Sequence, residues 1–233
     1  PNFKSPSTGE LNERFSNLRG SASRSIQRVE DDGPQPRGQT QRPRRAKCLH
    51  HILTNIAFIS TPQLPSVRSS EILKYNSTIH NVNGSRVFTY YWTVHDIVYR
   101  MKNWPWRRSL RSKSFYIFQF GYRMYMRIYP NQNGKNIYMH VGITQGAYDD
   151  SLEWPFKLKH KIQVLDHDTP GEDLFSRVWD PKELCSGWNW RKPDPLGDNY
   201  ECVGLGFPQD TIYSRNYLHN NSITVKLTVF LDV

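Results

Sequence analysis

Cysteine is scarce: the 233 residues carry only Cys48, Cys185 and Cys202, too few for the disulfide framework of a small secreted domain. No stretch reads as a secretory signal. A reducing, cytoplasmic setting is the expectation, and the sequons at Asn76, Asn83 and Asn220 read as chance triplets in Asn- and Ser-rich sequence. The longest apolar run, Ile52–Ile59, is broken by Thr54 and Asn55; a membrane-spanning helix needs about 20 apolar residues. No Gly-rich loop follows a strand pattern and opens a helix, so nucleotide binding has no support. Cys48, His50 and His51 have no second Cys/His pair at zinc-ligand spacing. No metal and no cofactor is expected.

What the chain does carry is unevenly spread. Residues 1–86 hold 13 Lys/Arg against 6 Asp/Glu and residues 87–233 hold 18 against 15, so the first part supplies +7 of the net charge of +10. All seven tryptophans lie beyond residue 90, which gives the second part the large apolar groups that close a core. The division read from this is a basic, low-complexity, disordered or linker region over 1–86 and a folded domain over 87–233. The basic cluster Arg42, Arg44, Arg45 and Lys47 lacks interleaved aromatics and any recognisable nucleic-acid fold. It reads as a solvated tail, and nucleic acid is not the expected partner.

The texture of the second part is that of β-structure. Thr89–Val94, Tyr116–Phe118, Tyr122–Tyr129, Ile137–Thr144 and Lys161–Asp166 read as strands, with a helical turn at Ile97–Met101 and a turn at Asn131–Gly134. In Ser222–Val233, Ile223, Val225, Leu227 and Val229 alternate with Thr224, Lys226 and Thr228, which predicts one buried and one wet face. Several short strands without long helices between them predict an antiparallel sandwich.

The most informative strand is Tyr122–Tyr129. Tyr122, Met124, Met126 and Ile128 fall on one face, and Arg123, Tyr125, Arg127 and Tyr129 on the other. A half-buried strand whose outer face repeats Arg and Tyr is suited to binding; solubility alone would favour Thr, Lys or Glu. The competing reading is a plain strand whose aromatics cover its neighbours.

Five blocks in order resemble the TRAF-C domain, also called the MATH domain, of the tumour-necrosis-factor receptor-associated factors. They are YYWTV (Tyr90–Val94), FYIFQFGYRMYMRIYPNQNG (Phe115–Gly134), GAYDDSLEWPF (Gly146–Phe156), KIQVLD (Lys161–Asp166) and RNYLHNNSITVKLTV (Arg215–Val229). The resemblance is expected to run to invertebrate members, or to those nearest the fourth and sixth vertebrate types. The resemblance implies an eight-stranded antiparallel β-sandwich that binds short extended peptides of receptor tails and adaptors, trimerises, and is not an enzyme. It assigns peptide contact to Arg127 and Tyr129, with Tyr125 in register extending the surface. CVGLGFP is similar to the family's "GFGYP" and places Leu205 and Phe207 as pocket-lining residues. Departures stand at Asp180–Lys192, where a serine run of one subgroup is replaced, and at Asn220–Asn221, where paired Asp is usual.

Two functions follow as expectations. The first is a cytoplasmic signalling adaptor that links receptor-tail or adaptor peptides to ubiquitin-ligase assemblies, as a homo-trimer, touching membranes only through the receptor. The second is a basic module docking on anionic lipid or RNA through the tail and Arg107, Arg108, Arg111 and Lys113. Acid/base catalysis by Asp166, His167 and Asp168 is discounted, because consecutive residues on a strand diverge to opposite faces.

Overall fold

The protein is described by a computed structural model over residues 66–195 and 197–232. The expectations for the Arg42–Lys47 cluster, the Cys48–His51 group and a disordered 1–65 lie outside the described residues. One sheet contains β1 (Thr78–Val82), β2 (Ser85–Val94), β7 (His160–Val164), β8 (Leu174–Phe175) and β10 (Ile223–Phe230), in the order β1-β2-β10-β7-β8. The other contains β3 (Leu110–Arg111), β5 (Arg123–Gln132), β6 (Asn136–Ile143) and β9 (Cys202–Pro208), in that order, with β4 (Phe115–Tyr116) also pairing β5. Every strand pairing is antiparallel.

The expected sandwich is therefore present, with ten strands among the described residues rather than eight. β3, β4 and β8 are two-residue ladders, too short for alternation to announce them. Among the described residues three short α-helices accompany the strands: α1 (Ser69–Tyr75), which precedes β1, α2 (Ile97–Asn103) and α3 (Gly187–Trp190). α1 and β1 stand ahead of residue 87, so secondary structure begins before the division that composition suggests.

The inner faces meet in one core. Ile223, Val225, Leu227 and Val229 of β10 pack towards Met124, Met126 and Ile128 of β5, all buried. Each such side chain contributes about 1.5–3 kcal/mol by leaving water. Phe156 joins them and stacks on Trp190 at 5.6 Å, whereas Trp188 is exposed. The turn between β5 and β6 places Asn133 and Gly134 at positive φ, 57° and 70°. That is the left-handed backbone that Asn and Gly supply to a tight turn.

Three expectations are corrected. The outer face of β10 is not wet: Thr224 and Thr228 are buried, and α1 lies on this side, its Glu71 accepting from Tyr91 Oη at 2.7 Å and Lys226 Nζ at 2.9 Å. Arg68, just before α1, donates Nη1 to Asp173 Oδ1 at 2.6 Å and Nη2 to Asp173 Oδ2 at 3.2 Å, with its side chain only 4% exposed. Second, Cys185 and Cys202 form a disulfide; their Cα atoms are 6.1 Å apart because the α3 loop folds back on β9. Third, Asp166–Asp168 is a turn beyond β7 rather than strand, with Asp166 Oδ1 accepting from the amides of Asp168 and Thr169. The Asp166 carboxylate is thus engaged as a turn cap.

Candidate functional site

The outer face of the β3-β5-β6-β9 sheet is laid out by β5. Met124, Met126 and Ile128 point into the core while Arg123, Arg127 and Tyr129 stay partly exposed on the other side, as the period of two predicts. Strand register then brings the neighbours into line. Arg127 pairs with Arg111 on β3 and His140 on β6, and His140 with Val203 on β9. Tyr129 faces Tyr138, which faces Gly206. Tyr129 and His140 pack with ring centroids 4.8 Å apart.

A group of acids absent from any periodic pattern organises this row. Arg111 binds Asp198 through both Nε and Nη2 at 2.7 Å. Arg127 Nε lies 3.3 Å from Glu201 Oε1 and its Nη2 lies 3.8 Å from Asp198 Oδ2. The Nε approach is an ion pair without hydrogen-bond geometry. Arg127 Nη1 donates to Ser109 Oγ at 3.1 Å, and Tyr129 Oη donates to Glu201 Oε1. Glu201 thus carries Arg127 and Tyr129 on one carboxylate oxygen. The guanidinium of Arg127 is held by neighbouring side chains yet its side chain remains 23% exposed.

Electrostatics follow from this packing. Burial pushes the Glu201 carboxyl up, but the Tyr129 hydrogen bond and the Arg127 charge outweigh it and leave it below its ordinary range. Asp198 behaves likewise, its burial outweighed by hydrogen bonds from Arg111 and Thr144. Burial, with Glu201 beside it, pushes the Tyr129 phenol up to about 12. Burial also pushes the His140 imidazole down to about 4, with Arg127 adding to the drop and Glu201 opposing it. At neutral pH the row therefore reads Arg⁺, carboxylate, phenol and neutral imidazole.

The five predicted site residues separate. Arg127 and Tyr129 sit together at the partly open centre of the face. Tyr125 belongs to the same row but is 0% exposed: Arg111 covers its ring at 4.2 Å, its Oη donates to Asn199 O at 2.8 Å, and its ring lies over Gly142. A Cβ at Gly142 would stand 2.6 Å from that ring, so glycine is required there. Tyr125 extends the row in register while lying beneath its surface. Leu205 and Phe207 face the core, paired with the buried Met139 and Ile137. The register shift between Met139 and His140 leaves Gly204 as an extra residue on β9, so alternation slips and both residues turn inward instead of lining a surface pocket. On the outer side β9 offers Val203, Gly206 and Pro208.

Sequence reasoning missed Glu201, Asp198 and Ser109 and gave Arg111 only to a basic patch. Glu201 and Asp198 lie in the irregular stretch before β9, 72 and 87 residues from their partners Tyr129 and Arg111, where no spacing betrays a pairing. His140 was within reach, since it alternates outward between Met139 and Val141 on β6.

Residues 89–229 match the MATH domain family. Mouse TNF receptor-associated factor 1 is 31% identical over 150 residues, which is 62% of this chain and 36% of that protein. Human TNF receptor-associated factor 5 is 26% identical over 129 residues, covering 54% of this chain and 22% of that protein. The chain thus spans little more than a third, or less, of these relatives. The solved structure of Notothenia coriiceps TRAF5 superposes with a TM-score of 0.51 at 21% identity, over 60% of this chain and 72% of that one, a likeness of fold.

Proposed function

The chain belongs to the MATH domain family, and on that premise we propose that it is a signalling adaptor that holds short extended peptides against the outer face of the β3-β5-β6-β9 sheet. β9 ends that sheet in strand order, the position at which an extended segment can add by main-chain hydrogen bonds. His140 on the adjoining β6, and Arg127 and Tyr129 one strand further in on β5, line the outer face that side chains of such a segment would cross. The relatives are named as TNF receptor-associated factors, and we carry that association over: the peptides are those of receptor tails or adaptors. Linkage to ubiquitin-ligase assemblies, a cytoplasmic setting, trimerisation and the absence of enzymatic activity complete the reading. A trimer would multiply individually weak contacts through avidity.

The observation that carries this reading is the Arg127–Glu201–Tyr129 arrangement. An acidic ligand group can take the place of Glu201 on Arg127, with a charge-assisted hydrogen bond replacing an ion pair of poor geometry. A Cys185–Cys202 bond belongs to oxidising surroundings, but the same loop is also pinned by Asn189 Nδ2 donating to Tyr200 O at 2.8 Å and by Asn199 Nδ2 donating to Arg191 O at 2.8 Å. As two thiols the pair would leave the site in place.

The test is a titration of a panel of extended acidic and neutral peptides into the wild-type chain and Arg127→Ala. Loss of binding in the variant with an unchanged fold supports the assignment. Equal affinity of a bound peptide for both overturns it.

A further inference from the structure

The segment leading into this face carries a second surface that peptide binding leaves unused. Between Ile97 and Lys113 there are six Lys/Arg and no Asp/Glu. Arg111 is taken by Asp198, whereas Arg100, Lys102, Arg107 and Arg108 have no ion-pair partner among the described residues. The guanidinium groups of Arg100 and Arg108 both rest on the Trp104 ring, at 4.6 and 4.5 Å, and that of Arg107 rests on the Trp106 ring at 4.3 Å.

The patch stands on a fixed base. Ile97 and Met101 anchor α2 in the core, Trp104 is buried, and its carbonyl accepts from Asn131 Nδ2 at 2.8 Å. Above that base Trp106 is 54% exposed and Tyr99 60% exposed. Arg107 adopts a φ of 71°, a left-handed backbone that long side chains rarely take. A monomer's solubility explains lone charges; it does not explain a half-exposed Trp inside an unpaired cluster of arginines.

We propose that this surface docks on an anionic lipid bilayer, with Trp106 entering the headgroup region, Arg100, Arg107 and Arg108 meeting lipid phosphates around it, and Lys102 and Tyr99 flanking on the exposed turn of α2. Trp and Tyr favour the membrane–water interface. Arginine side chains can keep their stems on an apolar ring and their heads in the phosphate layer, and each cation near an anionic leaflet strengthens binding about fivefold. RNA fits less well, because sequence-tolerant binding of single strands uses bare aromatic faces for base stacking. Here a face of Trp104 and of Trp106 already carries guanidinium. The surface involves neither Arg127 nor Glu201, so the proposal stands apart from the peptide reading.

The test is co-sedimentation of the full chain with phosphatidylcholine vesicles, with and without phosphatidylserine, comparing wild type, Trp106→Ala and the double variant Arg107→Glu/Arg108→Glu. All three proteins keep the basic residues of 1–86, so any binding by that region is constant. The expected results are selective binding of the serine-lipid vesicles, a loss on the order of tenfold or more in the double variant, and a severalfold loss in Trp106→Ala with its salt dependence retained. Thermal melts coinciding with wild type are expected for these exposed positions. The proposal is overturned if the variants bind vesicles as wild type does, if wild type ignores phosphatidylserine, or if the variants lose only binding to an oligouridylate.

Discussion

The two outer faces of the sandwich carry nearly the same set of side chains and use it differently. On the β1-β2-β10-β7-β8 sheet, Arg68, Glu71, Tyr91, Lys226 and Asp173 form one network; on the opposite sheet, Arg127, Glu201, Tyr129, Arg111 and Asp198 form another. In the first, α1 covers the charges and the Arg68 side chain is 4% exposed; in the second no helix among the described residues intervenes and Arg127 is 23% exposed. A buried pair broken on one side leaves a charge without water, whereas a half-exposed pair can exchange partners. Coverage, more than residue type, separates the structural staple from the surface proposed to take a ligand.

The largest expected effect is on the covered side. Arg68→Ala leaves Asp173 uncompensated and should remove about 3–5 kcal/mol of stability, read as a lower denaturant midpoint, with peptide affinity of the folded fraction unchanged. Of similar size, Leu205→Ala should cost about 2–5 kcal/mol, because this side chain packs in the core rather than in a pocket; a stable Leu205→Ala that merely loses peptide would restore the pocket role. Arg127→Ala reverses the pattern: about 1 kcal/mol or less of stability, with peptide affinity falling about tenfold or more by calorimetry.

Acid should affect both faces. Burial first, then neighbouring His219 and Arg68, pushes His167 down to about 4, and burial brings His140 and His160 to about 4 as well. The unfolded chain takes up these protons at the ordinary histidine value of about 6.5, before the folded one does, so stability is fullest above that value and falls as pH drops towards 4. Each of the three should remove about 2 kcal/mol between pH 7 and 4.5; replacing His167 by Gln should flatten this curve, and a flat wild-type curve would contradict the burial argument. The smallest effect is expected from Cys185→Ser, which should alter peptide affinity by less than about twofold, since hydrogen bonds from Asn189 and Asn199 hold the same loop.

Much of this was legible beforehand. The period of two in Tyr122–Tyr129 placed Arg127 and Tyr129 outward and the methionines inward, because a strand face is a local property of the chain. Coverage is not local. Tyr125 sits on the predicted face yet is sealed by Arg111 from β3, and Thr224 and Thr228 alternate as solvent residues would but lie on the face that α1 covers. Leu205 and Phe207 turned inward through an extra residue at Gly204, which no alternation rule anticipates. Glu201 and Asp198 acquire meaning only after the chain has folded back over 70 residues or more.

The most direct measurement is the affinity of one acidic extended peptide for wild type and Glu201→Gln under identical salt. With the internal carboxylate neutralised, Arg127 is freed for the ligand, and binding should tighten severalfold, with that gain vanishing when Arg127→Ala is added to the same chain. Weaker or unchanged binding in Glu201→Gln, or a gain that survives without Arg127, would contradict the claim that this half-open face is where a ligand exchanges with Glu201.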